Sequence, residues 1–203
     1  MQTTVQVAKR FASFLTDWEY NEYLLIGGYG SGKSYHIAFK FILKLMEEKR
    51  TALVVRQVKE TIKDSCFALF KDILESMNML SDTTTNKTKA IDGKVIAVSS
   101  PMEIRFPNGS KIIFRGVDNP EKLKSIHGVS MVWIEECSEV RYDAYTELLG
   151  RIRTPNKKLY TFLSCNPVGK ENWVYNTFFT HVEENGETTV ICDENKFYKL
   201  KTL

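Results

Sequence analysis

Three short stretches of this 203-residue chain carry residues whose types and spacing suit phosphate chemistry. The first, Gly27-Gly28-Tyr29-Gly30-Ser31-Gly32-Lys33-Ser34, fits the pattern G-x-x-x-x-G-K-S. Its glycines permit a turn whose backbone N–H groups converge on phosphate oxygens. A helix starting where the turn ends aims its positive terminus at the same anion. Lys33 is then placed to neutralise the β- and γ-phosphates of a nucleotide, and Ser34 to ligate Mg2+. The second stretch, Glu135-Glu136, follows the apolar run Met131-Val132-Trp133-Ile134. At a strand end, Glu135 suits metal binding and Glu136 suits polarising an attacking water as general base. The usual first acid of such a pair is Asp; Glu135 is one methylene longer, which points to a water-mediated metal contact. The third stretch is Ser164-Cys165-Asn166-Pro167, after the run Leu159-Tyr160-Thr161-Phe162-Leu163. A polar group there can bond a γ-phosphate or the lytic water. Plainer readings stand beside the last two: an acidic pair on a solvated turn, and an Asn-Pro turn opener.

These groups work together only if the elements between them bring them to one edge. Tyr23-Leu24-Leu25-Ile26 suits a buried parallel strand before the glycine-rich loop. Ile37, Ala38, Phe41, Ile42, Leu45 and Met46 recur at helical spacing after it. That helix is expected to end in Glu47-Glu48-Lys49-Arg50, with cations opposing its dipole. Thr51–Val55, ending at Arg56, reads as a second strand, and Thr61–Met79 as a long helix with an Ile62, Cys66, Leu69, Phe70, Ile73, Leu74, Met77 stripe. Pro107-Asn108-Gly109-Ser110 predicts a hairpin turn between strands 104–106 and 111–115. Val129–Ile134 and Lys158–Ser164 complete the buried strands, Val190-Ile191-Cys192 reads as an edge strand, residues 81–94 read as a loop, and residues 117–128 as a loop or short helix rich in Lys. Strands alternating with helices predict an α/β fold with a mainly parallel sheet flanked by helices. Ligands of such sheets sit at the carboxyl ends of the strands, just after Ile26, Val55, Ile134 and Leu163. Trp18, Tyr20 and Tyr23 precede the loop; stacking on a base and packing in the core both fit them.

Composition permits this and excludes little. Apolar residues are 43%, charged residues 26%, and the net charge is +3, ordinary for a globular chain. That charge permits an anionic partner without demanding one. Cys66, Cys137, Cys165 and Cys192 form no C-x-x-C pair, and three histidines complete no zinc pattern, so reduced, buried thiols are expected. The start has no h-region of a secretory leader, and no apolar run approaches a membrane span. A single domain over residues 1–203 is expected.

The blocks GGYGSGKS, VVRQVKETIKDSCF, FRGVDNPEKLKSIHG, VWIEECSEV and LLGRIRTPNKKLYTFLSCNPVGKENWVYNTFF resemble, in order over roughly residues 20 to 180, the ATPase domain of tailed-phage large terminase subunits. The glycine-rich loop is generic to NTPases; the WIEE and SCNP blocks, with Trp173 soon after, are more specific. The resemblance implies a P-loop NTPase of the additional-strand type. It implies an ATP- and Mg2+-dependent motor that moves double-stranded DNA into a procapsid. Its expected partners are the portal protein and the small terminase subunit. It would form a homo-oligomeric ring on the procapsid and a monomer in isolation, in the cytoplasm of the infected bacterium and transiently at the portal. Glu136 then falls on the water-activating acid, and Ser164, Cys165 and Asn166 on the coupling motif. A basic residue acting on the neighbouring subunit's γ-phosphate, about ten residues before the acids, points to Lys124, with Lys122 and Arg115 as alternatives. Arg56 is a further phosphate-facing cation. The plainer reading of each lysine is a solvated charge. The sequence departs from the family twice. Tyr29 and Gly30 stand where many relatives carry an in-loop Arg. The family's RNase H-like nuclease domain is expected to be absent, so no nuclease activity is expected within these residues.

Other classes fit less well. A helicase or RecA-like ATPase shares the loop and acid pair but needs motifs not found here. A guanine-nucleotide switch wants N-K-x-D, and Asn86-Lys87-Thr88-Lys89 lacks the Asp. A kinase needs acceptor and lid signatures. Lys87, Lys89, Lys94, Arg105 and Lys111 are scattered and outline no DNA-binding face.

Overall fold

Alternating side chains along the central strands divide the apolar residues between two faces of one sheet, and each face acquires its own helices. The computed structural model describes residues 7–81, 93–118, 126–152, 154–184, 187–192 and 196–200. In chain order the elements are α1 (Ala12–Thr16), β1 (Glu22–Gly27), α2 (Lys33–Glu47), β2 (Thr51–Arg56), α3 (Ala68–Ser76), β3 (Ile96–Ser99), β4 (Met102–Arg105), β5 (Lys111–Gly116), β6 (Val129–Glu135), α4 (Tyr142–Arg151), β7 (Tyr160–Cys165), α5 (Trp173–Phe178), β8 (Phe179–Glu184), β9 (Glu187–Cys192) and β10 (Lys196–Leu200). Eight strands form the main sheet in the order β10-β1-β7-β6-β2-β5-β4-β3. The pairs from β10 to β5 are parallel, and β3-β4-β5 is an antiparallel edge. β7 separates the loop-bearing β1 from β6, which carries the acid pair, so the additional-strand order is present.

On one face, Tyr23 and Leu25, Val54, Met131 and Trp133, and Phe162 pack against Phe11 and Phe14 of the N-terminal helical segment, Ile37, Phe41 and Leu45 of α2, and Phe70 and Leu74 of α3. On the other, Leu24 and Ile26, Val55, Val132 and Ile134, and Leu163 and Cys165 pack against Tyr145 and Leu148 of α4 and Val174 and Phe178 of α5. Each fully buried side chain of this kind contributes about 1.5–3 kcal/mol relative to exposure. Tyr23 lies flat on Phe162 at 4.9 Å, and Trp18 meets Tyr160 edge-on at 4.9 Å, so both belong to the core rather than to a base platform. Lys40 is fully buried and donates to the carbonyls of Phe14 and Asp17, capping the end of α1. Burial pushes its ammonium down to about 7, against the pull of Asp17.

The strand predictions hold to within two residues except at the C-terminal end. Val190–Cys192 is no edge of the main sheet: it belongs to β9, which pairs with β8 in a separate hairpin, and β10 takes the edge beside β1. α2 stops at Glu47, because Glu48 turns extended; Lys44, not Lys49 or Arg50, is the cation of its last turn. The hairpin turn seals that end, since Asn108 Nδ2 and Ser110 Oγ both donate to the Leu45 carbonyl at 2.7 Å. The predicted helix over 61–79 is a helical run from Glu60 to Ser76 with a wide π turn at Lys63–Phe67. It ends early because Asn78 adopts a left-handed conformation, φ 54°, and the Met79 N–H returns to the Leu74 carbonyl at 2.8 Å. β3, α4, α5, β8 and β10 were not predicted. Residues 82–92 and 119–125, most of the two expected loops, lie outside the described residues.

Candidate active site

Parallel registers bring four strand ends to one edge. Ile26 pairs with Cys165, Glu135 with Ser164, and Val55 with Ile134. The glycine-rich loop, Asn166, the acid pair and Arg56 therefore converge there.

The loop turns tightly after Gly27, with the Ser31 N–H donating to the Gly28 carbonyl at 3.2 Å. Gly30 (φ 72°) and Gly32 (φ 84°) adopt left-handed conformations that side chains rarely take. Tyr29, at the loop tip, is 94% exposed. The Ser31 hydroxyl is buried without a hydrogen-bond partner. Gly32 is the N-cap of α2, so Lys33 and Ser34 open the helix. Buried Lys33 extends its ammonium to Asn166, Nζ donating to Oδ1 at 3.1 Å.

Of the three coupling-motif residues, only Asn166 reaches the loop. Ser164 accepts a hydrogen bond from Trp133 Nε1 at 2.9 Å, tying β7 to β6 on the α2 face. Cys165 is buried on the opposite face. It contacts Cys137, whose thiol burial pushes well up. Cys66, Cys137 and Cys165 are all free and buried, as expected; Cys192 lies among side chains that are not described.

Glu135 is 8% exposed and points to the α2 face, where Arg56 Nε stands 2.9 Å from its Oε2. The pair is a charge contact rather than an aligned hydrogen bond, since Oε2 has no hydrogen-bond partner. Burial pushes the Glu135 carboxyl up to about 7; Arg56 and Lys33 oppose the rise, and Glu136 and Glu139 add to it. A buried carboxylate oxygen lacking a donor suits a hard cation. With the half-buried Ser34 hydroxyl at the same edge, the donor set fits Mg2+. Among the described residues, no cluster of three His, Cys, Asp or Glu side chains forms a metal site by itself.

Glu136 follows at φ 48°, ψ 51°, the left-handed region, and is half-buried. For a side-chain-bearing residue this backbone is costly and persists only where its surroundings enforce it. Its carbonyl accepts the Glu139 N–H at 2.9 Å.

Two residues at this edge escaped the sequence reading. Arg10 donates from Nη2 to the Ser31 carbonyl at 2.6 Å. The His36 imidazole stacks on Phe11 at 3.7 Å, its Nδ1 is 2.7 Å from the Gly32 carbonyl, and its Nε2 accepts the Ala8 N–H at 3.3 Å. The N-terminal segment thus straps the loop from behind. Of the cations proposed for the γ-phosphate, Arg56 faces Glu135, and Arg115 donates from Nη1 to the Phe114 carbonyl at 2.7 Å. Lys122 and Lys124 lie outside the described residues.

A family model described as phage terminase large subunit matches residues 20–202. The chain belongs to that family. The PBSX phage terminase large subunit of Bacillus subtilis (strain 168) is 44% identical over 198 residues, covering 98% of this chain and 42% of that protein. The terminase large subunit of Bacillus phage SPP1 is 32% identical over 193 residues, covering 86% and 43% respectively. The chain thus spans under half the length of these terminase relatives. Among solved structures, the large terminase of a thermophilic bacteriophage superposes with a TM-score of 0.70 at 13% identity, covering 97% of this chain and 46% of that one. The large terminase of the same phage has also been crystallised with ADP and with ATP-gamma-S. At that identity the likeness speaks to the fold, which is that of terminase ATPase domains. Among the described residues, no helix is long and apolar enough to cross a membrane.

Proposed function

We propose that this chain is an ATP-hydrolysing motor domain that drives double-stranded DNA into a viral procapsid. The observation that carries the reading is the Lys33–Asn166 contact at 3.1 Å, with the Glu135-Glu136 strand end beside it. A phosphate-binding lysine, a polar sensor and a general base then share one space. Lys33 and the loop N–H groups bind the β- and γ-phosphates, and Lys33 leaves Asn166 to do so. Asn166 is thereby released to bond the γ-phosphate or the lytic water. Glu136 takes the proton of that water as its oxygen bonds to the γ-phosphorus and the bond to the bridging oxygen breaks. Ser34 and Glu135 would hold Mg2+, which supplies charge neutralisation when bound. The terminase relatives named above support this assignment over a helicase, and together with the acid pair at the strand end over a nucleotide switch. The reading assigns no DNA cleavage to residues 1–203. Its expected partners are double-stranded DNA, the portal protein and the small terminase subunit, and its expected place is the host cytoplasm.

Nucleotide titration and steady-state hydrolysis test it together. Lys33→Ala should abolish tight ATP·Mg2+ binding. Glu136→Gln should bind ATP like the parent and turn over about 10²–10⁴-fold more slowly, the range of general-base catalysis. Unchanged turnover in Glu136→Gln would remove Glu136 from the role.

A further inference from the structure

The turn that follows Glu136 is fastened from another part of the chain. Within the turn, the Glu136 carbonyl accepts the Glu139 N–H at 2.9 Å and the Cys137 carbonyl accepts the Val140 N–H at 3.1 Å. Two further carbonyls of the same turn are taken by adjacent side chains at the start of α5. Asn172 Nδ2 donates to the Ser138 carbonyl at 3.2 Å, and Trp173 Nε1 donates to the Val140 carbonyl at 2.7 Å. Asn172 is itself immobilised: Oδ1 accepts the Val174 N–H at 3.0 Å as the N-cap of α5, and its N–H donates to the Gly169 carbonyl at 3.1 Å. The Trp173 ring stacks on Tyr145 at 4.7 Å and meets Tyr142 at 5.5 Å, so its N–H has a fixed direction.

We infer that Asn172 and Trp173 are positioning residues for the general base. Together they hold the turn that forces Glu136 into its left-handed conformation, and they join that turn to the segment leaving β7 with Asn166. The inference rests on the ATPase reading above. Neither bond is needed to bury α5, because Val174 and Phe178 do that without them. What the two donors add is a set orientation for the backbone that carries Glu136, and orientation is a term to which turnover is sensitive. A shift of Asn166 after phosphate binding would be transmitted over a short, capped segment to the base.

The test uses Trp173→Phe, which keeps the ring and removes the N–H, and Asn172→Ser, which keeps a good N-cap acceptor and removes the amide donor. Hydrogen–deuterium exchange is followed at the Glu139 and Val140 amides, alongside ATP affinity, KM and kcat. Each variant should raise exchange at those two amides and lower kcat by about three- to ten-fold, the range of one net hydrogen bond. KM and ATP affinity should stay within a factor of about two, because the glycine-rich loop is untouched. Parent-like exchange and kcat in both variants would overturn the inference. So would loss of affinity and of folding in step with kcat, the signature of a merely structural role. A parent chain that neither binds nor hydrolyses ATP would instead sink the ATPase reading, and exchange at residues 139 and 140 would still decide whether the clamp exists.

Discussion

Glu135 shows how a single side chain balances the needs of the nucleotide-free and the loaded site. Burial and the neighbouring carboxylates hold its proton up to about 7, and Arg56 only partly offsets them. A carboxyl whose folded value lies above its ordinary 4.5 favours the folded state while protonated. Its contribution is therefore full below that ordinary value and is lost as pH rises through about 7. Metal binding runs the other way, because a hard cation needs the ionised carboxylate. The Glu135 share of nucleotide-free stability should thus fall from pH 5 to pH 7, against the opposite trends set by the depressed His36 and Lys40 groups, while Mg2+-dependent ATP affinity should improve over the same window. Glu135→Gln should remove that falling share and flatten the affinity profile, and a parent-like pH dependence in that variant would place the titration elsewhere. The chemistry of Lys33, Ser34 and the acid pair was legible in the sequence because each sits within one contiguous motif. The Arg56–Glu135 and Lys33–Asn166 contacts were not: they depend on which strands become neighbours. Ser164 and Cys165 illustrate the same limit, since strand alternation turns them to opposite faces and leaves only Asn166 at the loop.

At the scale of elements, α2 owes its direction to Gly32. No side chain caps its first turn, and the helix starts from a left-handed glycine whose carbonyl is held by His36. A Cβ built there meets the His36 imidazole at 3.4 Å, so both the backbone and the neighbouring ring oppose a larger residue. Gly32→Ala should destabilise the protein by about 1–2 kcal/mol, the strain of a left-handed alanine, and should weaken ATP binding by tilting the N–H groups of the loop. Chemical denaturation and nucleotide titration check the two effects; a parent-like value in both would mean that the loop absorbs the change. Element existence followed from apolar periodicity, and β1, β2, β6 and β7 were readable for that reason. α4 escaped although Tyr145, Leu148 and Ile152 recur at helical spacing, because polar residues dominate its remaining positions. β3 escaped because it is short and only its first residue is buried, so it offers no alternation to read. The Asn78 stop was missed because a left-handed asparagine ends a helix as glycine does, without glycine's visibility.

At the scale of the whole molecule, the described site is supplied with anion-binding groups on one side only. The loop, Lys33 and the α2 terminus approach from β1, and the acid pair from β6. Arg56 is engaged by Glu135 and Arg115 donates to the Phe114 carbonyl. Under the proposed motor reading, assembled as a ring of identical chains, the neighbouring subunit would supply a further cation to the γ-phosphate. Specific ATPase activity should therefore climb with protein concentration and disappear at every concentration in Glu136→Gln. Mixing provides the sharper measurement. Lys124→Ala subunits, inactive alone, should regain turnover when combined with Glu136→Gln subunits, because each supplies what the other lacks: an intact base beside an intact cation. A trans cation contributes about 10³–10⁵-fold in related NTPases, so complementation should stand far above background. Activity that is flat with concentration, together with mixtures no more active than their parts, would mean that each chain completes its own site.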